Sequence, residues 1–177
     1  MTIRHATRLG LTVLVATLLF TASLAAQKVR IVQTNSAGDN VHLIDPATNK
    51  VAGIIEGIEV SHGAGVAPDG KHIYISDEAE STLDVVDAKT LKVTNRIPLS
   101  GHPNNMAVGK DGRKVYVGII QAPGGVDVID TVALKRIKTV PTKGTIHNPY
   151  VTPDGKYVVA GSIAGKSVNV IDAKTET

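Results

Sequence analysis

After Gln27, apolar residues occur in short runs of four to six, rich in Val and Ile, with Gly, Pro, Asn and Asp between the runs. Runs of this length and composition, bounded by turn-forming residues, are typical of β-strands. No ten-residue stretch after Gln27 places its apolar side chains at the spacing of an amphipathic helix. The pattern therefore predicts an all-β chain from this point onward.

The runs recur with one period. Three Asp-Gly pairs, each followed by a basic residue and an apolar run, are 42 and 43 residues apart: Asp69-Gly70, Asp111-Gly112 and Asp154-Gly155. A second marker, an aspartate that closes an apolar run, recurs after 42, 43 and 42 residues, at Asp45, Asp87, Asp130 and Asp172. Because two independent markers share the period, we expect a stacked architecture built from one repeated supersecondary unit.

One copy of the repeat accommodates four strands. In the middle copy, a strand at 105–109 passes through the tight turn Lys110-Asp111-Gly112 into its partner at 114–118. In the preceding copy, a third strand at 83–86 and a fourth at 93–98 follow their own hairpin. Four antiparallel strands in about 42 residues form one blade of a β-propeller.

The third strand of each copy is apolar on both faces, as at Leu83, Val85 and Val86. A sheet that is covered on both sides shows this loss of alternation, which favours blades that pack against one another. One position in the strand is polar and varies in type: His42, Asp84, Asp127 and Asn169. We expect these side chains to be solvated, and we assign His42 no function.

Four segments in one register resemble the repeat signature Tyr-Val-Thr-Asn. They are Val32-Gln33-Thr34-Asn35, Tyr74-Ile75-Ser76-Asp77, Tyr116-Val117-Gly118-Ile119 and Val159-Ala160-Gly161-Ser162. With the turn at Pro153-Asp154-Gly155-Lys156 and the closure Val170-Ile171-Asp172, the chain resembles the YVTN-repeat β-propeller family, related to seven-bladed propellers of the lactonase and cytochrome d1 types. Lys110 and Thr131 depart from the pattern, and the chain has no Trp for the tryptophan-aspartate signature of other propellers. The resemblance implies blades arranged radially around a central channel.

The predicted fold class is an all-β, incomplete propeller of about 3.5 blades. Full blades are predicted at about 61–100 and 101–143, with three strands before and three after them, which makes fourteen strands. Ring closure needs about four complete blades. Two explanations stay open: further C-terminal blades belong to a longer protein, or two copies assemble into one ring. A lone chain would leave its blade faces bare, with the strand at 168–171 as an edge prone to pairing.

The N-terminus predicts a secretory signal peptide. Arg4 and Arg8 precede an uncharged apolar run at 9–20, and small residues surround a cleavage point near Ala25 or Ala26. An apolar run of about twelve residues is short for a membrane span, so we expect no permanent anchor. The repeats at 27–177 are therefore expected in the periplasm or outside the cell.

Charge and composition narrow the partners. Without the leader the chain carries 17 basic and 16 acidic side chains, and neither a Lys/Arg block nor an aromatic cluster is present. Nucleic-acid binding would need a basic surface and stacking aromatic side chains, so we exclude it as a function. The absence of Cys excludes disulfides and thiolate metal sites.

Histidines and an asparagine recur ahead of the hairpin turns. His62, Asn104 and His147 each lie seven residues before a turn aspartate, and His102 lies two residues before Asn104. In a propeller this is where the innermost strand begins, beside the channel mouth. These residues could form a site for a metal, a haem-like cofactor or a polar ligand. Alternatively, their side chains could bond the backbone of the neighbouring blade and fix blade spacing.

The resemblance adds that some relatives bind a modified haem or carry redox cofactors through partner subunits. The turn residues Asp69, Gly70, Asp111, Gly112, Asp154 and Gly155, and the closing residues Asp45, Asp87, Asp130 and Asp172, are assigned to turn structure. No motif for a serine nucleophile, phosphate loop or dinucleotide is present, so we name no catalytic residue.

The sequence thus predicts an exported binding or interaction module that uses its channel face for a protein partner or small ligand. The alternative is a periplasmic enzyme or redox subunit, lactonase-like or binding a metal or haem, with its site at the channel mouth. A lactonase assignment rests on fold analogy alone.

Overall fold

The computed structural model describes residues 29–177, in which every regular element is a β-strand. The strands are β1 (Ile31–Thr34), β2 (Asn40–Asp45), β3 (Lys50–Glu56), β4 (Ser61–Val66), β5 (His72–Asp77), β6 (Thr82–Asp87), β7 (Lys92–Pro98), β8 (Pro103–Val108), β9 (Lys114–Ile119), β10 (Gly125–Asp130), β11 (Lys135–Val140), β12 (Asn148–Val151), β13 (Tyr157–Ser162) and β14 (Ser167–Asp172). The predicted signal peptide at 1–26 lies outside the described residues. Residues 29–177 contain no helix suited to cross a membrane.

The strands form four antiparallel sheets, each in sequence order. The first sheet is β1-β2-β3, the second β4-β5-β6-β7, the third β8-β9-β10-β11 and the fourth β12-β13-β14. The sheets do not close into a ring, which confirms the predicted incomplete all-β propeller. The innermost strands β4, β8 and β12 contact one another in turn and therefore surround the channel side. We call the end at which these three strands begin the channel mouth, and the opposite end the turn end.

The hairpins at the turn end depend on Asp-Gly pairs. Gly70, Gly112 and Gly155 have φ of 69°, 72° and 74°, a region that L side chains rarely adopt. In each turn the aspartate Oδ1 atom accepts the backbone N–H of the residue two positions later. The turns therefore bring each inner strand back beside its partner in a fixed register.

The closing aspartates also accept backbone N–H groups, at the turns that follow the third strands. Oδ1 of Asp87 accepts the backbone N–H of Lys89 and of Thr90, and equivalent pairs of bonds reach Asp130 and Asp172. These bonds favour the ionised carboxylate and lower the pKa of Asp87, Asp130 and Asp172. Asp45 accepts one such bond, from the backbone N–H of Ala47.

The core consists of three apolar clusters, one at each interface between neighbouring sheets. Tyr74 packs with Leu83 and Val117 between the second and third sheets, and Tyr116 packs with Val158 between the third and fourth. The middle sheets are buried on both faces, as their apolar third strands predict. Most of the fold's stability therefore depends on contacts between sheets.

One expectation about the third strands is wrong. Asp84 and Asp127 are 0% exposed rather than solvated, because each holds the linker that enters its sheet. Asp127 accepts bonds from the backbone N–H and the hydroxyl of Ser100, at 2.7 and 2.8 Å, and from the Thr139 hydroxyl at 2.6 Å.

Asp84 reaches its linker through an arginine. Arg96 donates from Nε to Asp84 Oδ2 at 3.1 Å and from Nη2 to the carbonyl of Gly57 at 2.6 Å. In the fourth sheet Asn169 Oδ1 accepts the backbone N–H of Lys143 at 3.1 Å. In three of the four sheets, the polar side chain at this third-strand position therefore holds the linker that enters the sheet.

The outer faces of the first and fourth sheets expose apolar side chains. Val168 and Val170 on β14 are 69% and 61% exposed, and Tyr150 on β12 and Ile31 on β1 are also exposed. Their counterparts in the middle sheets are covered by a neighbouring sheet, so these two faces resemble unfilled interfaces.

Candidate functional site

The structure places the four sequence-predicted site residues around the channel mouth. His62 lies at the start of β4, Asn104 lies near the start of β8, and His102 and His147 immediately precede β8 and β12. Because β4, β8 and β12 are neighbours, these residues follow one another along the mouth. His62, Asn104 and His147 are partly buried, whereas His102 is exposed.

The backbone carbonyls of three of these residues join adjacent sheets. The His62 carbonyl accepts a bond from the Thr34 hydroxyl at 2.8 Å, and the Asn104 carbonyl accepts one from the Ser76 hydroxyl at 2.5 Å. The His147 carbonyl accepts the backbone N–H of Asn105 at 3.0 Å. The spacing of the blades therefore uses main-chain atoms of these residues, and their side chains take no part in these three bonds.

The contact between the third and fourth sheets differs from the other two, because a glycine stands where the first and second sheets carry a hydroxyl side chain. Gly118 takes the register position of Thr34 and Ser76, and a Cβ atom there would lie 2.8 Å from the carbonyl oxygen of Ile146. The third and fourth sheets thus approach more closely at the mouth than a side chain at 118 would allow.

Glu78 connects two of the histidines, and the sequence analysis missed it. Its Oε2 atom lies 2.5 Å from His62 Nε2, and its Oε1 atom lies 3.8 Å from His102 Nδ1. Glu78 directly follows the signature segment Tyr74-Ile75-Ser76-Asp77, so it stands where the second strand of the repeat reaches the mouth. That placement was the available signal, but the contact with His62 depends on how β4 and β5 pair, and the contact with His102 depends on the distance between two sheets.

Side-chain amides continue the mouth toward the fourth sheet. Asn105 Nδ2 donates to Asn148 Oδ1 at 3.1 Å, between the third and fourth sheets. His147 and Asn148 then line a cavity of about 390 Å³ with Tyr150 and Val168 on the outer face of the fourth sheet. The mouth is therefore polar from the second sheet to the fourth.

The arrangement was tested against a bare metal ion and a haem. Within residues 29–177, no three His, Asp or Glu side chains are arranged to hold a metal ion. His62 and His102 contact Glu78 itself instead of surrounding a common point. A haem iron is held by a protein side chain, often an imidazole. His102 offers one: Nδ1 lies 3.8 Å from Glu78 Oε1, beyond hydrogen-bond distance, and no described residue bonds Nε2.

A larger cavity, of about 670 Å³, lies at the turn end between the third and fourth sheets. Tyr116, Tyr157 and several lysines line it, together with Asp111, Asp154 and Asp172, but none of the four predicted mouth residues does. The aspartates there accept the turn bonds described above, which commits one oxygen of each, Oδ1, to structure.

The chain is similar to a known protein family in sequence and to a solved structure in fold. The family model for the cytochrome d1 heme domain matches residues 26–153. Among solved structures, a hydrazine synthase chain from Kuenenia stuttgartiensis aligns with a TM-score of 0.74 at 25% sequence identity, over 83% of this chain. The alignment covers 44% of the hydrazine synthase chain, so this chain spans less than half of that protein's length. No curated protein matches the chain.

Proposed function

The chain belongs to the cytochrome d1 haem domain family, and on this premise we propose that it is an exported propeller segment that binds a ligand at the channel mouth. The proposed site comprises His62, His102, Asn104 and His147, and the proposed ligand class is an iron tetrapyrrole. The underlying repeat is proposed to be of the YVTN type.

The proposal rests on which atoms at the mouth hold the sheets together. Neighbouring sheets are joined through the carbonyls of His62, Asn104 and His147, so a structural need for their side chains is already met by the backbone. Glu78 contacts the imidazole of His62, whereas the imidazoles of His102 and His147 form no hydrogen bond with a described residue. An imidazole of this kind beside a channel is suited to hold a ligand.

If a haem is bound, the imidazole of His102 or of His147 would hold its iron, and Glu78 lies beside the His102 ring. The bound iron would supply redox chemistry. Asn104 and Asn105 would offer polar groups to the same ligand.

A second candidate function is catalysis at the same mouth by a redox or hydrolytic enzyme. The contacts of Glu78 with His62 and His102 favour it, because a carboxylate that positions an imidazole is a common arrangement for proton transfer. The activity would belong to the longer protein of which these blades form part, or to an assembled ring.

A haemin titration tests the proposed binding. We expect the purified chain to shift the Soret band of haemin on binding. The double variant His102→Ala with His147→Ala should bind haemin at least roughly tenfold more weakly than the wild-type chain. His72→Ala is the matched control, since His72 begins β5 at the turn end. The proposal is lost if wild-type chain does not bind haemin, or if the control weakens binding as much as the double variant.

We further propose that the chain is exported with cleavage near Ala25 or Ala26, which N-terminal sequencing of the periplasmic or secreted product would test. A protein partner, additional blades or a second copy is proposed to cover the exposed faces of the first and fourth sheets.

A further inference from the structure

An acidic cavity lies where the linker after β3 meets the second sheet. Its volume is about 330 Å³, and it is lined by Gly57, Glu59, Asp77, Glu80 and Arg96. Asp77 ends β5 and Glu80 follows in the loop to β6. Glu78, which lies between these two residues in sequence, contacts His62 and His102 instead, so the cavity is separate from the proposed ligand site.

The arginine in the cavity wall is already engaged. Arg96 donates to the buried carboxylate of Asp84 and to the carbonyl of Gly57. Among the described residues, no cationic side chain forms an ion pair with Glu59, Asp77 or Glu80. The three remaining carboxylates therefore give the cavity an uncompensated negative charge.

Asp77 supplies an acceptor that nothing in its surroundings uses. Its side chain is buried, with the residue 1% exposed. Oδ1 accepts the backbone N–H of Glu80 at 2.9 Å, but Oδ2 has no hydrogen-bond partner among the described residues. Buried acceptors are almost always paired, so an unpaired carboxylate oxygen beside a cavity indicates a missing donor.

We propose that this cavity binds the ammonium group of an organic cation, either a free alkylamine or a lysine side chain of a partner. An ammonium group donates three hydrogen bonds and carries the charge that Asp77, Glu59 and Glu80 require. A bare metal ion fits less well, because no three acidic or imidazole side chains in residues 29–177 are arranged to hold one. The inference does not depend on the proposed function of the channel mouth.

Calorimetric titration of the full chain with two probes tests the inference. The probes are 1,4-diaminobutane, for a free amine, and Nα-acetyl-lysine methylamide, for a lysine side chain. Binding of the first alone assigns a small-molecule site, and binding of the second alone or of both assigns a site that can take a partner's lysine. In either case Asp77→Asn should weaken binding roughly tenfold or more, since a charge-assisted hydrogen bond is lost.

Two further variants keep the test decisive. Asn35 holds the position equivalent to Asp77 in the first sheet, so Asp77→Asn is expected to fold. If it does not, the double variant Glu59→Gln with Glu80→Gln, both on exposed residues, should give the same loss. Glu56→Gln, at the end of β3 just before this linker, is the matched control and should change affinity less than twofold. The inference is overturned if neither amine binds wild-type chain, if the control matches the loss, or if Ca²⁺ binds these residues more tightly than either amine.

Discussion

At the scale of single residues, burial separates side chains that look alike in the sequence. The turn aspartates were assigned from local pattern, since each bonds to backbone two or three residues away. Asp84 and Asp127 were expected to be solvated because their strand position varies in type, but their partners lie on linkers and neighbouring strands. The pairing of Glu78 with His62 likewise joins residues whose proximity depends on how strands pair, and local pattern does not report it.

The first prediction concerns Asp127. Asp127→Ala removes the acceptor for the Ser100 N–H, the Ser100 hydroxyl and the Thr139 hydroxyl in a buried place, so we expect a loss of about 3 kcal/mol or more in the free energy of unfolding. Urea denaturation measures it, with the exposed Asp39→Ala as control. A loss below about 1 kcal/mol would show that the linker is held by other contacts.

The second prediction uses two glycines at equivalent register positions. Gly118→Ala should destabilise the fold by about 1–3 kcal/mol, because the added methyl group meets the Ile146 carbonyl across the sheet interface. Gly161→Ala should be neutral or slightly stabilising, since a Cβ atom there meets nothing within 4 Å. Thermal melts of the two variants compare them directly, and equal effects would contradict the close approach of the third and fourth sheets.

At the scale of elements, the strands and their order were predictable because each repeat has turn-forming residues at fixed positions in the sequence. In the full blades, Asp-Gly pairs mark the turn between the first and second strands, and closing aspartates mark the turn between the third and fourth. The apolar faces of the third strands show that other sheets cover them. The position of the linkers relative to the sheets was not predictable, because linker contacts vary from an arginine bridge at Asp84 to direct bonds at Asp127 and Asn169.

The turns also predict how stability depends on pH. Hydrogen bonds to the carboxylates lower the pKa of Asp87, Asp130, Asp154 and Asp172, so their contribution is present above the ordinary value of 3.8 and is lost as pH falls below it. Burial raises the pKa of Asp84, which acts in the opposite sense, since stability falls as its carboxyl ionises with rising pH. On acidification from about pH 5 to pH 3, we therefore expect Asp84 to favour the fold in the upper part of the range and the turn aspartates to destabilise it below about 3.8.

Two variants separate these opposing contributions. Asp172→Asn keeps an acceptor oxygen but removes the titrating charge, so the loss of melting temperature on acidification should become shallower. Asp84→Asn should make the same loss steeper, because the opposing group is gone. Melting temperatures recorded across this pH range would refute the assignment if both variants changed the slope in the same direction.

At the scale of the whole molecule, the incomplete ring predicts association through the fourth sheet. Each exposed apolar side chain on the outer face forgoes roughly 1.5–3 kcal/mol of burial. The double variant Val168→Lys with Val170→Lys places charge on that face and should shift sedimentation toward monomer. Val132→Lys, on an exposed turn residue, is the control. A wild-type chain that sediments as a monomer with a cooperative melt would contradict the prediction.

The linker clamps bear on how such a molecule changes over evolutionary time. Asp84, Asp127 and Asn169 each belong to the sheet that follows the linker they hold, so the second, third and fourth sheets each carry their own attachment to the segment before them. A duplicated copy of one of these repeats would arrive with its fastening in place. A chain built from such units is therefore expected to tolerate the gain or loss of a whole repeat.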